Sequence, residues 1–114
     1  NYNYQNYELL IGDSIAQLST LKKEIDAVFI DPPWGGPNYK YDTNINITLS
    51  GLELHEIVKI VTNYKYNESK IKVLSLKLPY NFDFKSFYQK IKFFMKAKKK
   101  VLRNNVVYLH ILLN

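Results

Sequence analysis

Apolar and polar positions along this chain change period several times, and each change predicts an element. Residues 7–11 form a short apolar run closed by Gly12-Asp13, which predicts a strand. Ile15, Leu18 and Leu21 recur at helical spacing, so a helix is expected over residues 14–21. Residues 25–30 are apolar almost throughout, the pattern of a strand buried on both faces. After a loop rich in Pro and Gly and a polar stretch over 38–48, Ser50-Gly51-Leu52-Glu53 reads as a capping box. The helix it opens places Leu54, Ile57, Val58, Val61 and Tyr64 on one stripe. Residues 71–78 read as a strand stopped by Pro79. Asp83 is placed to cap a second amphipathic helix with Phe84, Phe87, Tyr88, Ile91, Phe94 and Met95 inward. Two last strands, "KKKVLR" and "VVYLHILLN", join at Asn104-Asn105, a pair that tolerates the positive φ of a tight hairpin.

The predicted order is strand, helix, strand, helix, strand, helix, hairpin. Such alternation implies an α/β fold, with a mostly parallel sheet covered on both faces and an antiparallel C-terminal hairpin at its edge. Ligands of such sheets bind beyond the carboxyl ends of the strands. Asp13, the loop after residue 30 and the Pro79-Tyr80-Asn81 turn all fall there and are expected to line one rim.

Composition adds three constraints. At 114 residues the chain suits one domain. It has no cysteine, so a disulfide framework and thiolate metal sites are excluded, and an intracellular setting is favoured. No apolar run reaches the length of a membrane span, and the polar start "NYNYQNYE" is no signal peptide. Lysine outnumbers arginine fifteen to one, a bias that an AT-rich genome produces by itself. The charge is nonetheless uneven. Residues 1–57 carry three lysines and eight acids, net −5, and residues 58–114 carry thirteen cations and two acids, net +11. A basic half can collect phosphates, although a solvated lysine surface explains the composition equally well.

The densest chemistry is "DAVFIDPPWGGPNYKY", residues 26–41. It holds the only tryptophan, three of four prolines and two of four glycines. Asp31 ends the strand; Pro32 and Pro33 stiffen the backbone and donate no hydrogen bond. Carbonyls there are available to a ligand amine, and Trp34 offers a flat face for a purine. Gly35 and Gly36 allow close approach. A carboxylate, rigid carbonyls and an indole make a socket for an aromatic ring bearing an amino group. A tight turn over a core tryptophan is the bland alternative.

Asp31-Pro32-Pro33-Trp34 resembles motif IV of class I S-adenosylmethionine-dependent amino-methyltransferases. The longer Pro32-Pro33-Trp34-Gly35-Gly36-Pro37-Asn38-Tyr39 resembles the signature of trimethylguanosine synthases, the RNA cap guanine 2-amino methyltransferases. "YELLIGDSIAQL" is similar to that family's third strand and following helix, "KVLSLKLPYNFD" to its fifth strand and exit, and the closing hairpin to its sixth and seventh strands.

The resemblance implies an incomplete Rossmann-like methyltransferase sheet, from the third strand onward, with residues 1–114 as a single partial domain. It implies that Trp34 stacks on 7-methylguanine while Asp31 and the Pro32 carbonyl hold the 2-amino group towards the sulfonium methyl. Pro33, Tyr39 and Asn81 would complete the substrate site, with Asp13, Ser14 and Asp31 near the cofactor. Two departures stand out. The first strand, its glycine-rich turn and the acidic end of the second strand are absent, and no G-x-G occurs. Tyr80 follows Pro79 where a basic residue is expected, leaving Lys40 or Lys77 as substitutes.

The expected function is therefore the substrate-binding half of a cap guanine 2-amino methyltransferase in nucleus, cytoplasm or a virus. The 114 residues alone are expected to bind S-adenosylmethionine weakly or not at all. Capped RNA is the expected partner, with a companion chain carrying the first half of the domain, and no membrane. The alternative is an inactive pseudo-methyltransferase serving as a structural or RNA-binding module. An adenine amino-methyltransferase acting on a flipped base fits the Gly-Gly-Pro extension less well. His55 reads as a surface residue, His110 as a satisfied strand histidine and the aromatics of residues 81–95 as core. Two isolated histidines make no metal motif.

Overall fold

The computed structural model describes Leu18 and residues 21–34, 47–49 and 51–114. Within them the strands are β1 (Ala27–Ile30), β2 (Thr48–Leu49), β3 (Leu52–Glu53), β4 (Lys65–Tyr66), β5 (Ser69–Lys70), β6 (Val73–Pro79), β7 (Met95–Arg103) and β8 (Val106–Leu113). The helices are α1 (Leu54–Asn63) and α2 (Phe84–Ile91). The expected strand at 7–11 and most of the helix at 14–21 lie outside the described residues; Leu18 is helical and buried.

β6 is the centre of the molecule. Its alternation sends Leu74, Leu76 and Leu78 to one face, where all three are buried, and Val73, Ser75 and Lys77 to the other. It pairs in parallel with β1, Ala27 opposite Val73 through Ile30 opposite Leu76. On its other side it pairs antiparallel with β8, and β8 pairs antiparallel with β7, giving the order β1-β6-β8-β7. The expected "mostly parallel" sheet therefore makes one parallel and two antiparallel pairings among the described residues. The C-terminal hairpin supplies two of the four strands and joins the sheet at the edge of β6 through its second strand. β8 inserts between β6 and β7, so β1, β6 and β7 all run the same way and β8 alone runs against them.

The hairpin itself is built as its sequence predicts. Asn104 and Asn105 take φ of 51° and 63°, the paired left-handed conformation of a two-residue turn. A second hairpin of this kind, β4–β5, turns at Asn67-Glu68, with φ of 51° and 66°. Its two-residue strands are too short for a period-2 pattern to reveal.

Both helices pack on the leucine face. Leu54, Ile57, Val58 and Val61 of α1 and Phe84, Phe87 and Ile91 of α2 join Leu74, Leu76, Leu78, Val107, Leu109 and Ile111 in one buried cluster. Phe82, Phe84 and Phe87 meet edge to face, with centroids 5.1 and 5.4 Å apart. α2 is capped as predicted, Asp83 accepting from the Ser86 amide at 3.2 Å. It stops at Ile91, however. Phe94 is half-buried beyond the helix and Met95 opens β7. The Lys98 and Lys100 ammoniums reach back over the Tyr88 and Phe84 rings, 4.5 and 4.2 Å from their centroids.

α1 begins later than the Ser50 box predicts. Leu52 pairs with Leu49 and Glu53 with Thr48 across a turn in which Gly51 has φ of 77°. That short ladder holds the chain extended through Glu53, which becomes the N-cap. The capping box is Glu53 with Glu56, whose carboxylate accepts from the Glu53 amide at 3.2 Å. At the far end Tyr64 anchors the segment before β1, its phenol oxygen 2.6 Å from the Lys23 carbonyl and 2.9 Å from that of Leu21.

The opposite sheet face differs from expectation. β1 was expected to be buried on both sides, yet Phe29 is 59% exposed and Leu112, across the sheet on the same face, 40%. Ser75 and His110 pair on this face at 2.7 Å, so His110 is a satisfied strand histidine. No described helix covers it, because the buried stripes of both helices are committed to the leucine face.

A one-sided core has a measurable signature. Leu76→Ala is expected to cost about 2–5 kcal/mol in denaturant unfolding, whereas Phe29→Ala on the open face is expected to cost roughly 0.5 kcal/mol. The Tyr88 hydroxyl is buried with no hydrogen-bond partner among the described residues. Burial also pushes its pKa above the ordinary phenol value. The neutral phenol is thus favoured in the folded state, and stability is lost as pH rises past about 10. Tyr88→Phe is expected to leave neutral-pH stability equal or higher and to flatten that alkaline decline in thermal melts.

Candidate functional site

β1 carries the Asp-Pro-Pro-Trp sequence to the carboxyl end of the sheet. The ladder opens at Asp26, whose carbonyl accepts from the amides of Lys72 and Val73 at 2.8 and 3.2 Å. It ends at Ile30, and Pro32 next in line has no amide to continue it. Register then sets what faces the loop. Ile30 lies opposite Leu76, so Asp31 emerges beside Lys77, and its carboxylate lies 3.7 Å from the Lys77 ammonium. Both side chains keep contact with water, Asp31 53% exposed and Lys77 34%. Such a pair holds position more than it adds stability, about 0–1 kcal/mol.

Pro32 is buried and Pro33 exposed. Trp34 is half-buried. Its ring packs against the edge of the core, and its indole N–H donates to the Lys77 carbonyl at 3.2 Å. That one bond ties the loop to the central strand across forty-three residues of sequence. Trp34 is therefore neither a fully enclosed core residue nor a mobile surface plate; a central-strand carbonyl fixes the edge of its ring. Lys77 serves both ends of the motif, its ammonium on Asp31 and its carbonyl on Trp34. Sequence reading raised Lys77 only as a substitute cation; the signal for its place was the register of β1 on β6.

The turn after β6 lies on the same rim. Tyr80 donates its amide to the Asn105 carbonyl at 3.2 Å and leaves its ring half-exposed, and Asn81 is half-buried behind it. Asp31, Pro32, Pro33, Trp34 and Asn81 are thus gathered at one end of the sheet. Asp13, Ser14 and Tyr39 lie outside the described residues, as does Lys40.

Two clefts occur elsewhere, between α1 and α2. One, of about 220 Å³, is bordered by Leu54, His55, Phe82, Asp83, Ser86, Phe87 and Lys90. The other, about 400 Å³, is bordered by Leu52, His55, Glu56, Lys59, Ile60, Lys90 and Phe94. Neither includes Asp31 or Trp34. His55, expected on the surface, is half-buried between them, with ligand atoms of Glu53, His55 and Glu56 within 4.8 Å of one another. The Glu53–Glu56 pair is the capping box of α1, which accounts for the carboxylates without a metal.

Comparison with known proteins bears on this rim. A model of the family described as RNA cap guanine-N2 methyltransferase matches residues 3–111, nearly the whole chain. The chain belongs to that family. The class suspected from Pro32 through Tyr39 is thus the class found. A similar protein is an uncharacterised protein of Acanthamoeba polyphaga mimivirus, 28% identical over 108 residues. The match covers 93% of this chain and 40% of that protein, so the chain spans well under half of its relative's length. No solved structure matches. No described helix of this family member is long and apolar enough to cross a membrane.

Because the Trp34 ring is anchored through its N–H, Trp34→Phe is expected to cost roughly 1 kcal/mol of stability, read by circular dichroism in denaturant. An unchanged unfolding midpoint would show that the bond to Lys77 does not hold the loop.

Proposed function

We propose that these 114 residues are the substrate-side part of an S-adenosylmethionine-dependent RNA cap guanine 2-amino methyltransferase, with Trp34 and Asp31 at the mouth that takes the cap base. The observation that carries this reading is the Trp34 indole fixed on the rim beside the Asp31 carboxylate, in a chain whose family acts on that amine. Asp31, Pro32, Pro33, Trp34 and Asn81 are the described site residues of this reading, and Asp13, Ser14 and Tyr39 extend it to segments outside the description.

The chemistry follows from charge and placement. A 7-methylguanine ring is cationic, and stacking on the indole face adds about 1–2 kcal/mol of cation–π attraction. The Asp31 carboxylate accepts from the exocyclic 2-amino group, and the Pro32 carbonyl supplies a second fixed acceptor. Holding that nitrogen in line with the donor methyl is most of the catalysis, since the donor needs no further activation. As the N–C bond formed and the donor's C–S bond broke, the nitrogen would gain positive charge, which the Asp31 carboxylate would stabilise and then relieve by accepting the proton. Lys77, 3.7 Å from Asp31, is the cation this reading offers to the phosphates joined to the cap ribose. Bound substrate would draw it partly away from Asp31.

Asp13 and Ser14 would border the adenine of S-adenosylmethionine, which supplies the methyl group when bound. The residues that hold the methionine part and ribose in a Rossmann-like sheet belong to its first two strands. No G-x-G turn for them occurs here, and the mimivirus relative is much longer than this chain. We assign that half to sequence outside residues 1–114, on the same or a companion polypeptide.

Two titrations test the reading. A 7-methylguanosine cap analogue is expected to quench the single tryptophan saturably, and guanosine about tenfold more weakly, the ratio that ~1.4 kcal/mol sets. Equal quenching by both removes the cation–π argument. In calorimetry the isolated chain is expected to give little or no heat with S-adenosylmethionine; tight binding would overturn the assignment of the cofactor half to other sequence. Cap binding that persists when no form of the protein transfers a methyl group would favour the RNA-binding pseudo-enzyme.

A further inference from the structure

From Phe84 to Asn114 the chain carries seven lysines, one arginine and no acidic residue. Four of those lysines and the arginine lie on β7, which pairs only with β8 and is the free edge of the sheet among the described residues. Lysine on an edge strand discourages pairing with a second sheet, and that accounts for some lysine there. It does not account for where the row ends. β7 runs in the direction of β1 and β6, and its last residue, Arg103, lies opposite Val106, which lies opposite Pro79. Arg103 therefore stands on the rim that carries Trp34 and Asp31. Two strand spacings, about 10 Å, separate β7 from β6, the strand to which Trp34 is bonded. From Arg103 the cations continue away from that rim. Lys99 shares the face of Arg103, Lys98 and Lys100 occupy the α2 face, and Lys96 marks the irregularity at the far end.

We propose that the β7 edge is the track for the RNA chain whose 5′ cap sits at Trp34. Its sugar–phosphate backbone would leave the rim past Arg103 and follow the edge towards Lys96. This rests on the cap-binding reading above and extends it from the terminal base to the body of the substrate. The partner is single-stranded RNA, held through its phosphates without reading sequence. The cations follow one another along the edge, and residues 84–114 carry no acid to oppose them.

The test uses the 114-residue chain and a 3′-labelled single-stranded RNA of about twelve nucleotides, with and without a 7-methylguanosine cap, in anisotropy titrations over a range of salt. One triple variant is Lys96→Gln/Lys99→Gln/Arg103→Gln. A control of equal charge loss is Lys22→Gln/Lys59→Gln/Lys65→Gln, exposed positions off this edge. The β7 triple is expected to lower the slope of log K against log salt by about 2, near 0.7 per lost phosphate contact. It should weaken uncapped RNA on the order of tenfold at low salt, with the control changing little. Capped RNA should bind the parent more tightly than cap analogue or uncapped RNA alone, because both contacts lie on one molecule. In the β7 triple that gain should vanish while cap-analogue quenching stays unchanged. Equal effects of the two triples, or no gain from joining cap to RNA, would overturn the track. Loss of cap-analogue quenching in the parent would overturn the cap-binding reading, leaving the slope to report on β7 by itself.

Discussion

A strand hydrogen-bonded on both sides cannot shift without breaking two ladders, and β6 is such a strand. β1 on one side and β8 on the other fix its register, and Leu74, Leu76 and Leu78 bury one of its faces completely. Lys77 sits near its carboxyl end under that constraint. Because the strand is rigid, the Lys77 carbonyl is a fixed point, and the Trp34 N–H bonded to it inherits its position. The Asp31 carboxylate is set by the same residue through the ammonium. A loop of Pro, Pro and Trp, which could have been a mere turn, thereby presents an aromatic ring and a carboxylate in constant relation. Recognition of a small flat base needs that constancy, since a ring free to rotate would lose stacking energy to entropy.

The insertion of β8 matters for the same reason. Had the C-terminal hairpin joined β6 with β7 inward, the basic row would have been buried beside β6. Placing β8 inside instead gives β6 an apolar neighbour, Val107, Leu109 and Ile111 against its leucines, and puts the lysines outermost. It also sets β7 parallel in direction to β1 and β6, which brings Arg103 to the rim of the candidate site. One topological choice thus serves the core and the charge distribution together.

Much of this was legible in the chain. The strand of β6, the Asn-Asn hairpin, the Asp83 cap and the apolar stripes of both helices follow from local chemistry, and local chemistry decided them. Where the reading slipped, a non-local pairing had intervened. The Ser50 and Glu53 boxes overlap in the sequence. Pairing of Leu49 with Leu52 across Gly51 holds the chain extended past the first, so the second caps α1. The four residues of β1 are all apolar, and so short a run cannot say whether one face or two is covered; Phe29 is the residue that tells. Asp31 and Trp34 were singled out by their chemistry, but Lys77 was raised only as a substitute cation, since it becomes their common partner only through the register of β1 on β6. The family resemblance located the loop; the ladder explains why it is held.

The central claim is that the Trp34 face is a binding surface for a methylated, cationic purine. Chain labelled with nitrogen-15 has a single indole N–H resonance, and titration with 7-methylguanosine observes it directly. The account predicts a saturable shift of that resonance, at least several-fold weaker with guanosine, while the resonance stays protected by its bond to Lys77. An indole signal that does not move at saturating 7-methylguanosine would contradict it.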